Sequence, residues 1–167
     1  MNGAGVDFTK GMTKEWDKIS ASIKHQMASR GYRAANELRN ASQLVLRGKR
    51  SGRQYTVPGT GRMKYNKKTH TAKITYRKYT ASAPGEPPAV RTGAFRMSWQ
   101  PKVVVDHTSS YAVVSRVESS QRTDNGKHLL GEILEEGTGR MAPRPHHQAI
   151  QTKALPGIMK IYNEPYF

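Results

Sequence analysis

Two runs, Ser82-Ala-Pro-Gly-Glu-Pro-Pro-Ala-Val-Arg-Thr-Gly-Ala-Phe-Arg-Met-Ser98 and Glu135-Glu-Gly-Thr-Gly-Arg-Met-Ala-Pro-Arg-Pro145, decide how this chain folds. Both are Gly/Pro-rich turns that feed an apolar segment, so both read as corners joining helices to a sheet. In the first, Pro84, Gly85, Pro87 and Pro88 make a stiff linker, because proline fixes φ and glycine supplies a turn. Thr92 then stands where a cap would open a short helix over Gly93–Trp99, with Phe95 and Trp99 on one side of it. In the second, Gly137 sits where a C′ residue would end a short helix over His128–Glu136. Glu136, Gly137 and Thr138 lead through Met141 to Arg144 and Pro145, and Pro145 fits the first turn of a final helix.

Between the corners, Lys102–Val105 and Tyr111–Val117 are Val-rich runs separated by the polar turn Asp106–Ser110, which predicts an antiparallel hairpin. Glu118–Lys127 is polar and reads as a mobile loop at one end of that sheet. Upstream, Trp16, Ile19, Ile23, Met27, Ala34, Leu38, Ala41 and Val45 recur at three- and four-residue steps, one apolar stripe of a long helix. Thr13 is its expected N-cap and Gly48 its C′ residue, while Gly31 would weaken or bend it. The stripe lacks sustained heptads, so packing on a sheet is expected over a coiled coil. Downstream, Ile150, Ala154, Ile158 and Ile161 continue a helical stripe that Pro156-Gly157 should kink or interrupt.

Arg47–Lys78 has the most unusual composition. It holds eleven Lys or Arg, and no acid occurs between Glu37 and Glu86. Ala72, Ile74 and Tyr76 alternate with Lys73, Thr75 and Arg77, and Met63–Tyr65 can pair with them across an Asn66–Thr69 turn. Gln54–Val57 reads as a short strand closed by Pro58-Gly59. The segment is predicted to be an extended basic β-hairpin. Arg47, Lys49, Arg50, Arg53, Lys64, Lys67, Lys68, Lys73, Arg77 and Lys78 are its candidate contacts with DNA or an acidic protein surface. Tyr55, Tyr65, Tyr76 and Tyr79 are interleaved, either for stacking on bases or for ordinary cross-strand packing.

The bulk properties narrow the field. A chain of 167 residues fits one domain, and 35% apolar content leaves a modest core. The formal net charge of +16 predicts affinity for polyanions or acidic partners. There is no Cys, hence no disulfide or thiolate site. No run is long and apolar enough to span a membrane, no hydrophobic signal region opens the chain, and no solenoid-type repeat is present. His146 and His147 are adjacent and would point about 100° apart on a helix, so they are not expected to share a metal with Glu135 or Glu136. Gly59-Thr-Gly-Arg62 and Gly137-Thr-Gly-Arg140 lack the lysine of a phosphate loop, and no serine occupies a nucleophile elbow. Neither an enzyme nor a cofactor or metal site is expected.

Three segments resemble the neck and tail-completion family of long-tailed bacteriophages, the head–tail joining proteins of the lambda Z type. They are Ser51-Gly-Arg-Gln-Tyr55 after the long helix, Tyr79–Ser98 with its proline-rich corner and Thr92-Gly93 helix start, and Glu135–Pro145 with its Glu-x-Gly-Thr and Met-x-x-Arg-Pro pattern. They occur in the family's order and span most of the chain. Where the family has Phe after the Arg-Pro pair, this chain has His146, which leaves open whether that position packs inward. Pro58–Lys78 and Glu118–Leu130 look like elaborations on a minimal member.

The resemblance implies a structural virion protein: a ring, with six copies expected, between head-closure and tail-terminator or tail-tube proteins, assembled in the host cytoplasm, with double-stranded DNA passing through it. The fold expected from the residues and from the resemblance is the same. It is one α+β domain in which a long N-terminal helix (12–47) and a C-terminal helix pack on a small antiparallel sheet. Residues 1–11 form a flexible arm, 48–80 the basic hairpin, and 81–163 the sheet and later helices. The competing reading is a nucleic-acid-binding module working through the 47–78 hairpin.

Overall fold

The computed structural model describes residues 8–107 and 111–166. Its architecture is α+β, with the expected long and C-terminal helices on a small antiparallel sheet. Helix α1 runs Phe8–Arg47, 40 residues, roughly 60 Å at the standard rise. It begins before the expected Thr13 cap. Phe8–Gly11 of the proposed flexible arm are therefore helical, and residues 1–7 lie outside the described residues. Gly11 is exposed within α1, and a single exposed glycine costs a helix only about 1 kcal/mol.

The central hairpin is β5 (Trp99–Asp106) with β6 (Ala112–Ser119), paired from Trp99 opposite Ser119 to Asp106 opposite Ala112. The strands are longer than their Val-rich centres, and Trp99 belongs to β5 rather than to the preceding helix, which is the single turn α2 (Ala94–Met97). The N-cap of α2 is Gly93, in the left-handed region at φ 93°, rather than Thr92; Thr92, one residue earlier, accepts from the Ala94 amide through Oγ1 at 3.3 Å. Alternation turns Trp99, Pro101, Val103 and Val105 toward α1 and Gln100, Lys102 and Val104 toward solvent.

The helix runs unbroken through Gly31. That glycine is where α1 crosses the sheet most closely: a Cβ there would lie 2.4 Å from Val113 Cγ1, and Ser115 Oγ donates to the Gly31 carbonyl at 2.8 Å. After β6 the chain folds into a tight turn rather than an open loop. The Thr123 amide donates to His128 O at 3.0 Å and the Leu130 amide to Gln121 O at 2.8 Å. Helix α3 (Leu130–Glu136) and helix α4 (His147–Tyr162) follow. Pro145 lies just before α4, not in its first turn, because His146 is the N-cap. Pro156 sits inside α4 without interrupting it.

The core is where α1, α4 and the start of β5 meet. Ala41, Leu46, Trp99, Ile150 and Ala154 are buried there, with Leu38, Val45, Phe95, Val117 and Ile158 packed around them. The C-terminal tail is bound to α1. Arg33 forms a two-pronged ion pair with Glu164, both contacts at 2.6 Å, and Arg30 stacks 3.8 Å from the Tyr166 ring centroid. The Arg33 hydrogen bond holds the Glu164 carboxyl below its ordinary range. The stripe of α1 is covered only along its later turns, since Met12, Trp16 and Ile19 are exposed.

Candidate functional site

Two regions carry the residues that the sequence singles out, and they are built in opposite ways. The first is a junction where the two corners lock together. The Arg144 guanidinium donates to the Ser82 carbonyl and hydroxyl and to Ala83 O at 3.0 Å. The Gly85 amide donates to Pro143 O at 3.1 Å, and the Arg144 amide to Leu134 O at 2.7 Å. Gly137 has φ 79°, and a Cβ there would sit 2.7 Å from Met141 O, so a side chain is excluded on both counts.

The segment after α1 joins the same junction through Glu86. Its carboxylate accepts from Ser51 Oγ at 2.7 Å, from the Ser51 amide at 3.1 Å and from the Ala83 amide at 2.9 Å. These bonds, the Ser51 hydroxyl foremost, hold Glu86 below the ordinary carboxylate range. Arg50 is part of this framework rather than a free contact. Its guanidinium donates to Val45 O at 2.8 Å and to Pro88 O at 3.2 and 3.3 Å, and burial pushes its pKa down.

Of the two adjacent acids in the second corner, Glu135 does the structural work, and Glu136, the one expected to matter, is exposed. Glu135 Oε2 accepts from the His146 amide at 2.8 Å and the His147 amide at 3.3 Å. It also lies 2.7 Å from His146 Nδ1. It is a helix cap supplied from α3, satisfying first-turn amides of α4 that the helix itself cannot. His146 packs inward: it is fully buried and meets the rings of Phe95 and Trp99 edge-on, both at 5.6 Å. Burial pushes its pKa below the ordinary histidine value, so it is neutral, with the Nδ1 proton directed at Glu135 and Arg144 O. Contrary to the sequence expectation, Glu135, His146 and His147 bring ligand atoms within 4.8 Å of one another. The arrangement is nevertheless a poor cation site. Glu135 Oε2 is already committed to three protein donors, and the positive end of the α4 dipole faces it.

The second region is the basic arm, two stacked ladders. At its root β1 (Gln54–Thr56) pairs with β4 (Lys78–Thr80), a pairing the sequence did not suggest, and Tyr55 stacks on Tyr79 at 5.8 Å. Those two tyrosines are thus cross-strand partners. At its tip β2 (Arg62–Asn66) pairs with β3 (Thr71–Thr75), as expected, but with Met63 opposite Ile74, Tyr65 opposite Ala72 and Asn66 opposite Thr71, so the turn is 67–70 rather than Asn66–Thr69. The turn is closed by Asn66 Oδ1 accepting from the Lys68 amide at 3.0 Å and by His70 at φ 49°, a left-handed position that His tolerates better than most residues.

Every residue of β2 and β3 is exposed. Lys64 faces Lys73 across the ladder, a like-charge pair that weakens a hairpin. Lys67 and Lys68 sit in the turn, and Arg62, absent from the sequence-derived contacts, completes the tip. Arg47, Lys49, Arg53, Arg77 and Lys78 are exposed along the root, with Arg53 5.7 Å from the Tyr55 ring centroid. The candidates form a string from root to tip rather than one pocket.

The same alternation gives the tip a second face, of Met63, Tyr65, Ala72 and Ile74, with Tyr76 continuing it. Met63 is 72% exposed and Ile74 55%. Comparison of the chain with family models, with curated proteins and with solved structures finds no match. Among the described residues no helix is long and apolar enough to cross a membrane.

Proposed function

We propose that this chain is a structural protein of a phage neck, a tail-completion or head–tail joining component that forms a ring around the DNA channel between head-closure and tail-terminator or tail-tube proteins. One observation carries the reading. The three segments that resemble that family, far apart in sequence, meet at a single hydrogen-bonded junction, and a basic arm with no cover in its own subunit projects beside it. A rigid corner with an exposed arm suits a subunit whose task is to hold neighbours in register, and an arm free of acids suits a ring that encloses a polyanion.

The test is electron microscopy of intact particles at a resolution that traces the chain. A closed ring of this protein between head and tail is the expected result, and its absence there would overturn the reading. In parallel, reversing the charge of Lys67, Lys68, Lys73 and Arg77 should block head–tail joining while the purified chain keeps its unfolding midpoint. Normal particle yield would count against the arm's role.

A second reading is favoured by the Lys64–Lys73 pair, whose repulsion an anionic partner would relieve. In it the arm binds nucleic acid directly. A steep loss of duplex affinity with rising salt supports that reading, and no binding even at low salt rejects it.

A further inference from the structure

The central hairpin is a sheet of two strands, and both of its edges are open. Among the described residues β5 and β6 pair only with each other, and no backbone hydrogen bond joins β6 to any other segment. The elements that pack on β6 are β5 and α1, and α1 covers a face rather than an edge. An unpaired edge is a row of donors and acceptors ready for another strand.

The two edges are not equivalent. Pro101 lies opposite Val117 and has no amide to give the ladder. That pair is therefore one whose backbone groups turn outward, with the inter-strand bonds made by the pairs on either side of it. By alternation, Trp99, Pro101, Val103 and Val105 present backbone to the outer edge of β5, and Val113, Ser115, Val117 and Ser119 to that of β6. The missing donor at Pro101 blunts the first edge. No proline or glycine interrupts Ala112–Ser119, so the second is complete.

Charge decides what fits that edge. Arg116 and Glu118 are exposed on the outer face of β6, one on each side of Val117. Antiparallel pairing of this strand with itself about Val117 sets Arg116 of each copy opposite Glu118 of the other, and Ser115 opposite Ser119. The next self-register, about Ser115, sets Arg116 opposite Val114 and Glu118 opposite Ala112, with no charge matched. The strand is also locally neutral, with one cation and one anion, in a chain of net charge +16. Two copies therefore meet there without local repulsion.

We propose that two copies of this chain pair edge to edge through β6, antiparallel about Val117, into a four-stranded sheet. Val117 exchanges two backbone bonds with its counterpart, and Ser115 of each copy does so with Ser119 of the other, about six bonds in all. The Arg116–Glu118 pair within one strand, at 2.6 Å, joins a four-group network across the two-fold axis, since a carboxylate accepts from several donors. With α1 over its own two strands in each copy, the two helices lie about 10 Å apart, an ordinary packing distance. The contact is isologous, which neighbours around a simple ring cannot share. It therefore belongs to the chain before it enters a ring, and it stands apart from the neck reading. Its effect is to cover an edge otherwise open to aggregation.

The test uses the purified full chain. Light scattering should give twice the 18.7 kDa of one chain. Arg116→Glu and Glu118→Arg each turn two ion pairs into two like-charge pairs, so each should weaken dimerisation about tenfold. The chain carrying both substitutions should recover it, and circular dichroism should be the same for all. Directly opposite residues of such a pair lie about 4.5 Å apart at Cα, within disulfide reach, and the chain has no Cys of its own. Arg116→Cys chains mixed with Glu118→Cys chains under a mild oxidant should therefore become linked, while either alone should not. A chain that is monomeric up to its solubility limit, a dimer indifferent to both single charge reversals, or equal cross-linking of either Cys chain by itself overturns the pairing. None of these outcomes bears on whether particles contain a ring.

Discussion

The corner junction and the basic arm have similar lengths of chain and opposite physics. In the junction a few polar groups bind partners far away in sequence: Arg144 reaches Ser82 and Ala83, Glu86 reaches Ser51, and Glu135 caps α4. In the tip of the arm the polar side chains point into solvent, the ladder opposes lysine to lysine, and the apolar side chains are exposed as well. The difference separates residues that stabilise one subunit from residues whose energy is available only to a partner.

That separation can be broken or sharpened by substitution. The largest effect is expected at Arg144. Arg144→Ala strands the Ser82 and Ala83 acceptors and frees one corner from the other, which should cost about 3 kcal/mol, read as a lowered midpoint in urea unfolding. An unchanged midpoint would mean that the corners are held by the turns alone.

An intermediate effect concerns His146. Because burial depresses its pKa in the folded chain, the unfolded chain takes up the proton first as pH falls. Stability is therefore steady above about 6.5, the unperturbed value, and is lost as pH falls from there through the folded value. His146→Phe keeps a ring against Phe95 and Trp99 and removes the titration. It should flatten the loss between pH 7 and 5 and change stability at pH 8 by less than about 1.5 kcal/mol. A profile as steep as that of the parent would assign the loss to other groups.

The smallest effect on folding is expected in the arm. Met63→Ser with Ile74→Thr should move the unfolding midpoint by no more than about 0.5 kcal/mol, because neither side chain is covered, yet should reduce particle assembly. A large destabilisation would show that the arm's apolar face is packed within the subunit after all.

Much of this architecture was legible residue by residue. The 3.6-residue stripe marks α1 and the alternation of Met63–Tyr65 with Ala72–Tyr76 gives the tip its two faces, because each is a local consequence of which side chains share a face. Boundaries were less so. The arm was expected to reach Gly11 and Pro156 read as a breaker, but α1 begins at Phe8 and α4 continues through Pro156: one exposed glycine and one proline are each outweighed by the rest of a helix. Within the site, Arg50 was indistinguishable from its neighbours as a contact. Its guanidinium is turned to Val45 and Pro88 by the way the chain leaves α1.

By itself, then, the sequence determined the α+β class, the two corners, the absence of acid from the arm and the two-faced pattern of its tip, all set by spacing and composition over short stretches. Only the tertiary structure decided that the corners grip each other, that Glu135 rather than Glu136 caps α4, that Gly31 is a crossing point, and that His146 is buried and neutral. Those outcomes depend on the phase of one helix against another and on contacts between residues dozens of positions apart, such as Arg144 with Ser82. Local pattern carries no record of either.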